Sequence, residues 1–364
     1  MMLSKKIFTT GCGIHSAAAC TLIVLAVVLV IEGTGTAAGK PKTVAEIALY
    51  KGIDRQQILE EGARKEGKLI YYTSGILNQT VRPIVEAFQK KYPYIKVEIW
   101  RSSPLKIVPR VLEEYRASRH SVDVVAISQA GRMVMEKAGL LQPFYSPELA
   151  YIEEDAIRKA PGEGVFSAGH YVGGKGLGYN TKLITREELP KTYQDLLDPK
   201  WRGKNVPLTG GMGTVSWMGC ILVAYGEDFV RRVAKQDFVL QMVSGRALLD
   251  LIIAGEYAFS PTITDSHVNL SKKKGAPVDW VPLEPVTAGL NQIFLPKYST
   301  HPHATMLYID FDLSKETGEL LKAVGYVSPR KDVLGVTTYK KFYGPFSTEQ
   351  FEQWSTLFKE LFLK

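Results

Sequence analysis

Three strand-like segments, each followed by a helix-like one, occupy residues 69 to 139, and this succession constrains the fold more than any other feature. Gly67 ends a helix whose start, Asp54-Arg55-Gln56-Gln57, has the spacing of a capping box. Leu69-Ile70-Tyr71-Tyr72 then opens a strand. Thr80 stands where it can cap a helix with Val81, Ile84, Val85 and Phe88 on one face, stopped by Tyr92-Pro93. Ile95, Val97 and Ile99 alternate as in a strand, and Val108, Val111, Leu112 and Tyr115 mark a second helical face. A short buried strand from Val122 to Ile127 and a helix from Met133 to Gly139 complete the series. Strand and helix in alternation imply an open, largely parallel sheet with helices on its faces.

Between Gln142 and Gly174 the periodicity fades. Gly173-Gly174-Lys175-Gly176-Leu177-Gly178 does not match dinucleotide-binding spacing and reads as a turn before a strand at Leu177 to Tyr179. A second α/β stretch follows. It has helices after Gly213, near Asp228 to Gln236 and at Ala247 to Ala254, with strands around Tyr257 to Phe259 and Asp279 to Leu283. The chain changes character again near Glu284-Pro285-Val286. The last helix starts at Ser347-Thr348-Glu349-Gln350 and buries Phe351, Trp354, Phe358 and Leu361.

The N-terminus indicates the compartment. Lys5 and Lys6 precede an apolar run from Ala17 to Ile31, then small residues with Thr36 and Ala38 at signal-peptidase positions. Residues 1–38 are therefore expected to be a secretory signal and the mature protein periplasmic; an uncleaved anchor is the rival reading. The rest suffices for about two domains. Cys12 and Cys20 leave with the signal, so Cys220 has no disulfide partner and a core drawn from a 45% hydrophobic composition must hold the fold. A net charge of +8 favours anionic ligands or surfaces, and no long basic block points to nucleic acid.

Ligands of open α/β sheets sit beyond the carboxyl ends of the strands. Here those ends carry Thr73 and Ser74, Arg101 and Ser102, and Ser128. In the second stretch Gly210, Gly211, Gly213 and Thr214 enter an apolar helix, where backbone N–H groups and the helix dipole favour an anion. Ser244 precedes another helix, and Thr264 and Asp265 a third. Singly, each hydroxyl reads first as an ordinary helix cap; it is the convergence of such positions from two lobes that would mark a site.

Enzyme motifs fare worse. His301-Pro302-His303 lacks further ligands for a metal, Asp310 and Asp312 point to different helix faces, and Cys220 lies in an apolar helix. No cofactor is expected, and no catalytic residue or metal ligand is assigned.

Several phrases together resemble the periplasmic binding proteins of the ferric-binding and family 1 extracellular solute-binding group. They are Lys65-Glu66-Gly67-Lys68 with Tyr71-Tyr72-Thr73-Ser74, Gly176 to Thr181, Asp198-Pro199-Lys200-Trp201-Arg202-Gly203-Lys204, Trp280 to Pro285, and Tyr326-Val327-Ser328-Pro329-Arg330. The resemblance implies the type II fold: two Rossmann-like α/β lobes with mixed, largely parallel sheets, joined by crossing hinge strands and closing on a ligand. Lobe 1 would hold 39–174 and about 286–325, lobe 2 about 175–285, with 326–364 a helical segment of uncertain lobe. Tyr179, near a crossing, joins the candidate ligand residues. The implied partners are a small-molecule ligand and an ABC permease with a separate ATPase, the protein acting as a monomer. Ferric-binding members hold iron through adjacent tyrosines; the matching stretch here reads Thr264-Asp265-Ser266-His267, so an oxyanion-bearing ligand fits better than ferric ion. A ferric chelate, an enzyme on the same scaffold, and a membrane-anchored sensor remain the alternatives.

Overall fold

The computed structural model describes residues 40–203, 206–333, 339, 341–344 and 347–363. The expected signal, residues 1–38, lies outside them. The chain enters through α1 (Val44–Leu49) and α2 (Arg55–Glu66), then builds β1 (Lys68–Thr73), α3 (Arg82–Lys91), β2 (Lys96–Arg101), α4 (Pro104–Arg116), β3 (Val124–Ser128) and α5 (Gln129–Lys137). Two short strands, β4 (Leu141–Gln142) and β5 (Ile157–Lys159), lead to the long β6 (Val165–Asn180). Next come β7 (Pro207–Thr209), α6 (Met212–Tyr225), α7 (Glu227–Ala234), β8 (Val239–Gln241), α8 (Gly245–Ala254), β9 (Phe259–Thr264), α9 (Asp265–Lys273) and β10 (Val278–Val281). The return runs through β11 (Val286–Pro296), α10 (Pro302–Asp312), α11 (Lys315–Ala323), β12 (Lys341–Phe342) and α12 (Thr348–Phe362).

The three strand–helix units form the expected parallel core, with β1 paired to β2 on one side and β3 on the other. β11 and β6 cross from this core into the second α/β stretch. β11 runs antiparallel to β3 and to β6, and β6 runs antiparallel to β9 and β10. The result is a mixed α/β sheet in the order β10-β6-β11-β3-β1-β2.

Successive side chains of β1 enter opposite cores, Leu69 and Tyr71 one and Ile70 and Tyr72 the other. Tyr71 packs on Tyr308 from one face, and Tyr72 on Trp100 from the other. A second core gathers Tyr193, Trp217 and Phe229 with Phe351, Trp354 and Phe358 of α12. There Trp354 lies directly on the bare α-carbon of Gly219 in α6. Cys220 is buried in the same helix.

Local signals held in part. Gly67 ends α2 in the left-handed region at φ 66, as a C-cap glycine should. Asp54 is its N-cap residue but makes no cap hydrogen bond, because its carboxylate accepts from the Tyr50 hydroxyl at 2.7 Å. The capping box stands one helix earlier, between Thr43 and Glu46. Thr80 does not cap α3 either; its hydroxyl donates to the Ile76 carbonyl at 2.8 Å.

The larger correction concerns Gly173 to Gly178. They form the middle of β6 instead of a turn. Glycine in a strand marks close approach of neighbouring chain, and here a side chain at Gly173 would meet Thr264 at 2.6 Å, and one at Gly176 would meet Trp280 at 2.6 Å.

The His-Pro-His stretch starts α10. His301 pairs with Asp123 at 2.8 Å and His303 with Glu66 at 2.6 Å. Both carboxylates also accept backbone N–H groups at this helix start, from His301 and Thr300 and from His303 and Ala304. They satisfy donors that a helix N-terminus leaves open. Asp310 and Asp312 diverge as expected, to Arg55 and to His170.

Candidate functional site

The ends of β1, β2 and β3 and the starts of α4, α5, α6, α8 and α9 meet around one cavity of about 260 Å³. From the first α/β stretch come Ser74 after β1, Arg101 at the end of β2, and Ser128 between β3 and α5. From the second come Gly213 in the first turn of α6, Ser244 before α8, and Thr264 before α9. These six sequence-predicted residues are brought together although they lie up to 190 positions apart.

The other candidates do not line it. Thr73 is buried and its hydroxyl accepts from the Gly75 N–H at 3.0 Å. Ser102 is half-buried, its N–H on the Thr73 carbonyl at 3.1 Å, and neighbouring Ser103 takes the place at the wall. Tyr179 is buried in the second core between β9 and β10. Thr214 is fully buried, and its hydroxyl is spent on Thr209. Gly210 donates to the Gln241 carbonyl at 2.6 Å, and Gly211, at φ 88, begins α6 beneath Leu105 of α4. Asp265 turns its carboxylate to the N–H groups of Gly174 and Ser266 and to the Tyr339 hydroxyl, at 3.1, 2.6 and 2.7 Å. Burial raises its pKa against these bonds.

The helix starts differ in what they leave open. Ser244 caps α8 through the Ala247 N–H at 3.2 Å. Ser128, Gly211 and Thr264 make no side-chain cap bond to α5, α6 and α9. At α9 the Asp265 carboxylate takes the Ser266 N–H instead; at α5 and α6 the uncapped N–H groups and the helix dipole leave partial positive charge at the cavity.

Full positive charge is there too, and the sequence reading found only part of it. Arg101, Lys175 and Arg246 all line the cavity, and among the described lining residues there is no Asp or Glu. Lys175 projects from the glycine-rich middle of β6. A side chain at Gly213 would meet its Nζ at 3.1 Å, so the ammonium sits at the positive end of α6. It has no acidic partner among the described residues, and burial pulls its pKa down to about 8. Arg246, in the first turn of α8, is anchored by Asp250 and by the Ser271 hydroxyl at 2.7 Å. A basic residue in a first helical turn opposes the dipole, and that was a readable signal. A lone lysine among glycines was another.

Polar and aromatic groups complete the walls. Asn291 of β11 is buried and donates to Ser74 Oγ at 3.3 Å, while its Oδ1 has no partner. Tyr171 and Tyr326 stack edge to face with ring centres 4.5 Å apart. Burial pushes the Tyr326 phenol up to about 12. His267 of α9 also lines the cavity, and burial together with Arg246, Lys175 and Arg101 drives its pKa down to about 3.

Comparison with known proteins agrees with the fold. An uncharacterized protein of Haemophilus influenzae is 24% identical over 269 residues, 71% of this chain and 76% of that protein. Iron-bound HitA of Pseudomonas aeruginosa superposes with a TM-score of 0.66 at 19% identity, over 81% of this chain and 99% of its own. The periplasmic binding protein AfuA of Actinobacillus pleuropneumoniae, with fructose-6-phosphate bound, gives 0.67 at 18% identity, over 82% and 99%. These likenesses show the two-lobed periplasmic-binding fold. The sequence family described as bacterial extracellular solute-binding protein matches residues 121–341, more than half of the chain. The chain belongs to that family.

Proposed function

We infer that this protein captures a small organic anion in the cleft and hands it to a membrane permease, with the ATPase on another chain and the binding protein acting as an exported monomer. The observation that carries the reading is the convergence of Arg101, Lys175 and Arg246, with the uncapped starts of α5 and α6, on a cavity lined by no carboxylate among the described residues. Charges of one sign held apart in a cleft favour a ligand of the other sign. In this reading β6 and β11 are the hinge strands. The first α/β stretch with α10 and α11 is one lobe, and the second, with α12 packed on its core, is the other. Native mass spectrometry of gently purified protein tests it: an anion should co-purify, and a cationic ligand would refute the reading.

A ferric chelate is the second reading, favoured by the two phenols of Tyr171 and Tyr326 in the wall. On the anion reading, ferric citrate produces no tyrosinate-to-iron colour. A strong visible band that is lost in Tyr326→Phe would favour the chelate.

A further inference from the structure

The surroundings of the His267 ring, in the wall of the cleft, contradict its usual role. Its Nδ1 is buried without a hydrogen-bond partner. Its backbone carbonyl, not its ring, receives Arg246 at 3.4 Å and the Ser271 hydroxyl at 3.0 Å. The charged groups acting on the imidazole come from three other elements: Arg246 of α8, Lys175 of β6 and Arg101 of β2. All are positive. On its own helix, Asp265 is held by Gly174, Ser266 and Tyr339, and on α8 Asp250 is spent on Arg246. Tyr171 and Tyr326 complete the titratable groups of the cavity, and both phenols are kept neutral by burial.

Resting on the anion reading above, we propose that His267 contacts the captured anion and takes up one proton from solvent as the anion binds. In the empty cleft the imidazole is neutral, because burial and three cations oppose its protonation, with a pKa of about 3. An anion seated among those cations cancels their field and adds an acceptor, and both changes favour imidazolium. Protonation is then stronger in the bound state than in the free one. Affinity therefore rises as pH falls through the bound-state pKa, by up to about tenfold per pH unit for one proton, and the rise stops near the free-state value. Lys175, its pKa lowered by burial to about 8, is largely charged on the acidic side of neutrality and contributes little there.

Sodium sulfate is the probe, since its charge does not change in this range. Titration calorimetry between about pH 5 and pH 7, where an ordinary histidine changes charge, in two buffers of different ionisation heat, reads affinity and protons absorbed. Wild type is expected to bind more tightly at the lower pH and to absorb up to one proton per sulfate. In His267→Gln the affinity becomes independent of pH and the heat independent of buffer. Ring-nitrogen NMR shifts of His267 in wild type give a second readout that needs no variant, and should report imidazolium only with sulfate present. Sulfate binding that is flat with pH, or an imidazole that stays neutral in saturating sulfate, overturns the proposal and leaves the anion reading standing. No sulfate binding at any pH, in wild type as in Lys175→Met, overturns the anion reading and this proposal with it.

Discussion

Replacing Lys175 by methionine separates two opposed effects at one side chain. The ammonium is held in the cleft at the start of α6, and burial lowers its pKa from 10.5 to about 8. At about 1.4 kcal/mol per unit, keeping it charged costs roughly 3 kcal/mol, and partial exposure to cleft solvent reduces this to about 2. Methionine retains an unbranched stem and removes the charge. Ligand-free Lys175→Met should therefore be about 1–2 kcal/mol more stable than wild type at neutral pH, measured by urea unfolding. The pH dependence follows from the direction of the shift. The unfolded chain keeps the ordinary lysine value, so between about 8 and 10.5 it binds a proton that the folded chain has lost, and wild type gains stability as pH rises. The advantage of the variant should fade across that window. Anion binding should meanwhile weaken about tenfold to a hundredfold, the loss of one charge-assisted hydrogen bond of about 1.5–3 kcal/mol. A variant no more stable than wild type at neutral pH, or an advantage undiminished above the window, would refute the argument.

Arg55→Ala should cost about 3–5 kcal/mol in urea unfolding, because Asp310 would be left buried without its partner. Gly219→Val forces Trp354 off α6, and an overpacking cost of at least about 1–3 kcal/mol should appear together with new protease sensitivity in α12. Ser74→Ala removes a cavity hydroxyl and the acceptor of Asn291, so calorimetry with a cleft anion should show a loss of about 0.5–1.5 kcal/mol. N-terminal sequencing of the protein from an osmotic-shock fraction should find a start near Gly39; intact residues 1–38 in membranes would favour an anchor.

Periodicity and helix termini are local properties, and they were sufficient to locate β1 to β3, their helices and the cavity residues at their ends. Ser74, Arg101 and Ser128 follow from where strands stop, and Gly213, Ser244 and Thr264 from where helices start. How a side chain is spent is not local. Thr214 and Thr264 look alike in sequence, yet one is buried against Thr209 and the other opens on the cavity. Asp265 satisfies Gly174, 91 residues away, instead of a ligand. The deepest difference lies in β6. Four glycines around Lys175 signal a turn when only chain flexibility is weighed, but pairing with β9, β10 and β11 holds them extended and the bare α-carbons admit Thr264 and Trp280. That long-range pairing alone carries Lys175 to the start of α6, and so decides where the positive charge of the cleft is concentrated.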